Sequence, residues 1–164
     1  MTNTNFSETQ RFRQPWVWAV LILTVAAGAG SALSPLFTAQ PASGGLAAAI
    51  IGVLVPVTLV VFFFLMRLET TIDGRGVSYR FFPVHTGERL ILWEEIADVQ
   101  VRKYSPLREY GGWGIRTGFG KRGMAFNVRG DMGIQLVLKN GKKILIGTQQ
   151  PEAVTAALQQ LGKL

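Results

Sequence analysis

Residues that commonly act as nucleophiles, proton carriers or metal ligands are scarce in this chain, which has one histidine and no cysteine. His85 stands alone between two strand-like runs, whereas a catalytic dyad or a metal site needs several convergent groups. We therefore expect it to be a solvent-exposed loop residue. Glu94 and Glu95 are adjacent, so their carboxylates point in different directions in a helix or a strand. We expect them to begin a helical turn, and the sequence predicts no catalytic residue, metal ligand or cofactor.

The glycine-rich stretch 111–123 is the part of the chain to compare with a phosphate-binding loop. Such a loop requires glycine, four residues and then Gly-Lys followed by Ser or Thr. Here Gly120 and Lys121 are followed by Arg122, and the residue five positions before Gly120 is not a glycine. The pattern fails at both positions, so the sequence instead predicts a flexible hairpin loop over Gly118 to Gly123.

Basic residues form the remaining candidate for a binding site, because lysine and arginine number 17 against 10 acidic residues. Beside an anionic leaflet, each basic residue near the surface contributes about 1 kcal/mol of attraction. Lys121 and Arg122, on the glycine-rich loop, are the strongest candidates for contact with lipid headgroups. The candidate lipid- or partner-binding residues are Arg102, Lys103, Tyr104, Tyr110, Arg116, Lys121, Arg122, Lys142 and Lys143.

Two plainer interpretations of these residues stay open. The basic residues could form a generic solubilising surface. The aromatic residues Tyr104, Tyr110 and Trp113 could be structural, rather than line a groove for a protein partner. Nucleic-acid binding is not expected, because no recognised nucleic-acid-binding motif accompanies the charge.

The charged residues are unevenly distributed, since positions 14–66 contain no Asp, Glu, Lys or Arg. About 20 apolar residues suffice to cross a bilayer as a helix. This region therefore predicts two spanning helices, at about 16–37 and 46–66, joined by a turn-rich segment. The predicted organisation is a polar N-terminal tail at 1–14, a transmembrane hairpin at 15–66 and a folded domain at 67–164.

Basic residues flank the predicted hairpin on one side only. Arg11 and Arg13 precede the first helix, Arg67 follows the second, and the connecting segment has no basic residue. The positive-inside rule then places both chain termini in the cytoplasm, with the protein crossing the membrane twice. The alternative is a cleaved signal peptide, which the preceding arginines and the small residues 27–32 also fit.

Small residues in the first predicted helix allow another helix to approach closely. They are Ala26, Gly28, Gly30 and Ala32. We expect them to pack the two helices of one hairpin together rather than to join two molecules. Neither predicted span contains an ionisable residue, which argues against a transporter, a proton relay or an intramembrane enzyme.

Beyond residue 66 the hydrophobic pattern changes to the period of two that strands produce. About eight short runs alternate in this way, and Asn140-Gly141 between the last two is a two-residue hairpin signal. The pattern predicts an antiparallel sandwich or barrel. The final segment returns to helical spacing and predicts one amphipathic helix at about 151–161, with Pro151 in its first turn. Its apolar stripe consists of Val154, Ala157, Leu158 and Leu161.

Several stretches of the segment 67–164 resemble one family. They are residues 72–80 (IDGRGVSYR), 91–96 (ILWEEI), 110–116 (YGGWGIR), 128–130 (VRG), 133–143 (GIQLVLKNGKK) and 146–151 (IGTQQP). Together they resemble the bacterial pleckstrin-homology (PH) domain-like membrane proteins, in which a two-helix hairpin precedes the barrel. The resemblance implies a membrane-anchored α+β protein, with a transmembrane hairpin followed by a mainly antiparallel PH-like β-barrel that a C-terminal helix caps. It implies no catalytic residues.

The function predicted from these features is a non-catalytic, membrane-anchored binding or scaffolding module that faces the cytoplasm. Its expected partners are the lipid bilayer, anionic lipid headgroups, a protein partner or another copy of the chain. One alternative is a small structural subunit of a membrane complex that uses its helices as the interface. The other is a membrane-associated enzyme, which only the glycine-rich loop and scattered carboxylates favour.

Overall fold

The structure is a computed structural model that describes residues 4–33, 45–120 and 122–164. The chain divides into two compact units. Residues 12–65 form a helical unit, and residues 1–11 together with 66–164 form a sheet unit. The fold is therefore α+β, and the sheet unit is built from two separate sheets.

The helical unit contains α1 (Pro15–Leu33) and α2 (Gly45–Leu65). A Cβ atom at Gly28 would overlap the carbonyl oxygen of Gly52, so the helices approach closely at these glycines. Of the small residues predicted to allow a close approach, Gly28 lies at such a contact, whereas Gly30 has open space around it. Within the described residues, α1 is the one helix long and apolar enough to cross a membrane. The end of the first predicted helix and most of the predicted connection, residues 34–44, lie outside the described residues.

The first sheet is an antiparallel meander with the strand order β1-β2-β3-β4. Its strands are β1 (Thr4–Arg11), β2 (Arg67–Asp73), β3 (Gly76–Phe82) and β4 (Arg89–Leu92). The prediction of a polar tail at 1–14 is therefore wrong for residues 4–11. The reason is that two of the three buried side chains described on β1, Glu8 and Gln10, are polar, and the third, Phe6, is apolar. The hydrophobic alternation that signals a strand is missing from the sequence.

Strands β1 and β2 are direct neighbours although the whole helical unit separates them along the chain. Arg11 at the end of β1 pairs with Arg67 at the start of β2. The helical unit is thus an insertion between the two strands of one antiparallel pair.

The second sheet has the strand order β5-β8-β9-β7-β6. Its strands are β5 (Ile96–Lys103), β6 (Gly114–Thr117), β7 (Met124–Asn127), β8 (Met132–Leu138) and β9 (Lys143–Gly147). The hairpin predicted at Asn140-Gly141 joins β8 to β9, with Gly141 at a φ of 80°. A 3-10 turn, Trp93–Glu95, leads into β5, which confirms the helical turn predicted at Glu94 and Glu95.

No closed barrel forms within the described residues, because the two sheets remain separate. Strands β7 and β9 also pair in parallel, which departs from the predicted antiparallel arrangement. The strand periodicity is the same in open and closed sheets, so the sequence pattern did not distinguish the two.

The two sheets pack face to face around an apolar core. Tyr79 of β3 contacts Phe126 of β7, with ring centroids 4.7 Å apart. The predicted C-terminal helix is confirmed as α4 (Pro151–Gln160), which lies against β1 and β5. Other large side chains that are fully buried among the described residues are Phe81, Leu68, Ile72, Ile134, Leu136, Ile146, Leu158, Val77 and Val128. Tyr110 and Leu145 are also fully buried, on the opposite face of the second sheet.

Candidate functional site

A basic cleft of about 260 Å³ lies on the outer face of the second sheet. In the strand register Gln100 is opposite Gln135, and Val137 is opposite Lys143, so their side chains share this face. The short helix α3 (Pro106–Tyr110) and the connection from β6 to β7 provide the side of the cleft. The residues lining it are Gln100, Arg102, Glu109, Arg122, Gln135, Val137 and Lys143.

Arg102 is fully engaged with protein acceptors on the floor of the cleft. Its Nη2 donates to Glu109 Oε2 at 2.8 Å and to Gln135 Oε1 at 3.1 Å. Hydrogen bonding with Glu109 raises the pKa of Arg102, and the same bond lowers the pKa of the Glu109 carboxyl. Glu109 also accepts a hydrogen bond from the Ser105 backbone N–H at 2.8 Å. Arg102 therefore positions Glu109 and neutralises it.

Arg122 and Lys143 carry the positive charge that Glu109 does not balance. The Arg122 Nε lies 3.9 Å from Glu109 Oε2, and about half of the Arg122 side chain is exposed. Gly123, at a φ of 78°, brings the chain directly against Lys143, because a Cβ there would overlap the Lys143 carbonyl oxygen. Arg122 and Lys143 thus flank the opening of the cleft, where a carboxylate or phosphate group could accept hydrogen bonds from both.

Tyr104 and Tyr110 do not offer their rings to a partner, contrary to the predicted binding role. Both are buried with Ala125 and Leu145 against the outer face of the second sheet. The Tyr104 hydroxyl accepts a hydrogen bond from Asn127 Nδ2 at 2.9 Å. Burial raises the pKa of Tyr104 to about 12 and also raises the pKa of Tyr110. These tyrosines therefore have a structural role on the same face as the cleft. Trp113 is partly exposed.

The other basic residues predicted for binding lie in different places. Lys103 forms an exposed ion pair with Asp131 at 3.1 Å. Arg116 donates from Nε to the Trp113 carbonyl oxygen at 2.9 Å. Lys142 is exposed beside Lys143 but does not line the cleft. Lys121 lies outside the described residues. The structure thus brings Arg102, Arg122 and Lys143 of the nine candidates to the lining of one cleft.

Three polar residues that line the cleft, Gln100, Glu109 and Gln135, and the apolar Val137 were missed by the sequence analysis. Gln100 and Arg102 are two positions apart on β5, which places both on one face. That spacing was a usable signal for Gln100. The sequence contained no comparable signal for Glu109, because its role depends on the contact with Arg102 in another element.

His85 is buried, with 8% of its surface exposed, so the predicted exposed loop position is wrong. The backbone N–H of Phe81 donates to His85 Nδ1 at 3.3 Å, and the ring packs 5.4 Å from Phe126. Burial, together with the nearby charge of Arg89, lowers the pKa of His85. Within the described part of the chain, no group of three or more His, Asp or Glu side chains is placed to hold a metal ion.

No protein-family model and no curated protein matches this sequence.

Proposed function

We propose that the chain is a membrane-anchored binding module that does not act as an enzyme. It presents the basic cleft to an anionic ligand on the cytoplasmic side of a bacterial inner membrane. The observation that carries this proposal is the insertion of an apolar helical unit, without a charged residue from position 14 to its end, between two paired strands.

The pairing of β1 with β2 supports two crossings rather than one. Both strands belong to the same sheet, so both ends of the inserted helical unit must be on the same side of any membrane. A chain that crosses once would separate β1 from β2. If α1 crosses, a second segment must return, and the apolar helix α2 (Gly45–Leu65) is placed to do so.

The same pairing favours retention of α1 over cleavage as a signal peptide. Removal of a signal peptide that includes α1 would also remove β1 from the first sheet. Glu8 on β1 would be lost as the acceptor for Thr148 Oγ1, at 2.7 Å, and for the Gln149 backbone N–H, at 2.9 Å. Two donors next to α4 would then lack their acceptors.

The relation to PH domain-like membrane proteins is part of this proposal. It rests on the sequence motifs, with support from the antiparallel meander β1–β4 and from the C-terminal helix α4 packed on the sheet unit. The open sheets and the parallel pair β7–β9 depart from the expected barrel.

Single-cysteine labelling tests the proposed membrane arrangement, since the natural chain has no cysteine. Ser43→Cys lies between the two helices in the sequence, and Ala156→Cys lies on the exposed side of α4. In bacterial spheroplasts, a maleimide that cannot cross membranes is expected to label Ser43→Cys and to label Ala156→Cys only after permeabilisation. Labelling of Ala156→Cys in intact spheroplasts would contradict the proposal.

Photo-cross-linking tests the binding role of the cleft. A photoreactive residue replaces Gln100 in the full chain, and cross-linked products from native membranes are identified by mass spectrometry. The double variant Arg122→Glu, Lys143→Glu is expected to reduce the product about tenfold or more, because two attractive contacts become repulsive. The matched variant Arg129→Glu, Lys139→Glu makes the same charge change at exposed positions outside the cleft.

The chemical identity of the cross-linked products distinguishes the possible ligands of the cleft. A product with phospholipid indicates a headgroup, and a product with an acidic protein segment indicates a protein partner. Equal loss in the two double variants would contradict a specific cleft. Cross-links that form only from positions on α1 and α2 would instead favour a structural subunit of a membrane complex.

A further inference from the structure

The outer face of the first sheet carries a second basic cluster, away from the cleft. In the register of β1, β2 and β3, Arg11, Arg67 and Phe82 form one row across the sheet. The next row on the same face, two residues further along each strand, places Glu69 opposite Arg80. Both rows belong to the sheet unit, and the first row holds the residues where the chain leaves for the helices. We call these five residues the juxtamembrane arginine cluster.

Glu69 and Phe82 hold the two arginines of β2 and β3 in place. Glu69 Oε1 lies 2.6 Å from the Nε of Arg67, and Glu69 Oε2 lies 2.9 Å from the Nε of Arg80. The guanidinium carbon atoms of Arg67 and Arg80 lie 4.7 and 5.5 Å from the centroid of the Phe82 ring. One carboxylate therefore pairs with two guanidinium groups. It accepts a hydrogen bond from Arg67 Nε and forms an ion pair with Arg80, whose buried Nε makes no hydrogen bond among the described residues. Within the described residues, their Nη atoms have no hydrogen bond to the protein.

Chain connectivity limits how far this cluster can be from the helix ends. Arg67 follows the last residue of α2 by two positions, and Arg11 precedes the first residue of α1 by four. An extended residue spans at most about 3.6 Å, which limits these separations to about 7 and 14 Å. A bilayer has a headgroup layer roughly 5–8 Å thick on each side of its hydrocarbon core. Helices that end at the core boundary therefore keep Arg67 within reach of lipid phosphates.

We propose that the juxtamembrane arginine cluster binds the phosphate of an anionic phospholipid. This inference rests on the membrane anchorage proposed above. Guanidinium groups form paired hydrogen bonds with phosphate oxygens, and the orientation by Glu69 reduces the loss of side-chain freedom on binding. Three arginines against Glu69, and against Glu88 that lines a depression together with Glu69 and Arg80, leave this face with a net positive charge.

The cluster and the basic cleft are separate sites. Gln10, next to Arg11, donates from Nε2 to the carbonyl oxygen of Gly147, at the end of β9. Lys143 of the cleft is the first residue of the same strand. Four strand residues at about 3.3 Å each separate the two ends by roughly 13 Å. A variant at one site can therefore serve as the control for the other.

Native mass spectrometry of the full chain tests the lipid assignment. The protein is purified in a non-ionic detergent with equal amounts of phosphatidylglycerol and phosphatidylcholine, and the retained lipids are counted. We expect wild type to retain phosphatidylglycerol preferentially. Arg67→Gln and Arg11→Gln are each expected to reduce that preference about fivefold, the effect of one basic contact. Lys143→Gln, with the same charge change in the cleft, is expected to leave it unchanged.

Several results would overturn the inference. One is an unchanged preference in both arginine variants, and another is an equal reduction in Lys143→Gln. Displacement of the lipid by excess inorganic phosphate would assign the cluster to free phosphate instead. Arg11 is exposed, so Arg11→Gln remains informative if circular dichroism shows that Arg67→Gln disturbs the fold. If the lipid preference is not changed as expected but the cysteine labelling gives the expected result, the lipid site alone is rejected. The proposed membrane anchorage then stands.

Discussion

Tyr104 and Tyr110 are structural side chains rather than contacts for a partner. They stand beside basic residues in the sequence, but both are buried. In the fold they cover Ala125 and Leu145, and the Tyr104 hydroxyl is satisfied by Asn127. The local sequence around such a side chain does not indicate whether it faces solvent or a neighbouring strand, because the residues that bury it come from elsewhere in the chain.

His85 is expected to make the sheet unit less stable in mild acid. Its pKa is lowered in the folded protein, first by burial and then by the charge of Arg89, so the unfolded chain takes up the proton more readily. Stability is therefore fully present above the unfolded pKa of about 6.5 and falls as the pH drops below it. Protonation would also remove the acceptor for the Phe81 N–H.

Urea unfolding of the full chain in a non-ionic detergent between pH 7.5 and 5 measures this effect. The variant His85→Gln cannot titrate there, and its free energy of unfolding is expected to decrease less over the same pH interval. Parallel pH profiles for wild type and variant would show that His85 does not contribute.

At the scale of elements, β1 is held by polar contacts as much as by apolar ones. Glu8 accepts from Thr148 and Gln149, and Gln10 donates to the carbonyl oxygen of Gly147. These bonds join the edge of the first sheet to the segment between β9 and α4. An edge strand with polar inward side chains resembles a solvent-exposed tail in its sequence, although its contacts are buried.

Glu8→Ala is expected to destabilise the sheet unit by about 2 kcal/mol, because the buried Thr148 hydroxyl and the Gln149 N–H lose their acceptor. Ser7→Ala, one residue away on the exposed side of β1, is expected to change stability by less than about 0.5 kcal/mol. Urea unfolding of the full chain compares the two variants. Equal effects would mean that the Glu8 contacts do not hold β1 in place.

At the scale of the whole molecule, the helical unit interrupts a single strand pair rather than preceding a complete domain. The Arg11–Arg67 pair provides a point at which the hairpin can be closed directly. Replacing residues 12–66 by Asn-Gly creates the two-residue loop that antiparallel strands favour. We expect this shortened chain to be soluble, monomeric and folded, as measured by size-exclusion chromatography and a cooperative urea transition.

The fragment 67–164 is the matched comparison, since it lacks both the helices and β1. It is expected to be less stable than the closed hairpin, because loss of β1 leaves one edge of β2 unpaired and exposes the core beside Phe6. Equal stability of the two proteins would indicate that β1 is dispensable for the sheet unit.

Strong local signals in the sequence were sufficient to predict several elements of the fold. The apolar segments predicted α1 and α2, Asn140-Gly141 predicted the β8–β9 hairpin, and Pro151 with its apolar stripe predicted α4. Composition and local periodicity suffice for such features, since neighbouring residues supply most of their signal. Local signals were not sufficient for the functional site. Arg102, Arg122 and Lys143 were recognised as basic residues, but no local signal showed that they line one cleft.

The remaining features follow from tertiary contacts. Pairing of β1 with β2 across the inserted helices, the parallel pair β7–β9 and the burial of His85 all depend on contacts between distant segments. Arg102 likewise neutralises Glu109, so Arg122 and Lys143 supply the net positive charge of the cleft. A single sequence records side-chain types and local spacing. Long-range pairing depends on which surfaces can be buried together, and that follows from the assembled fold.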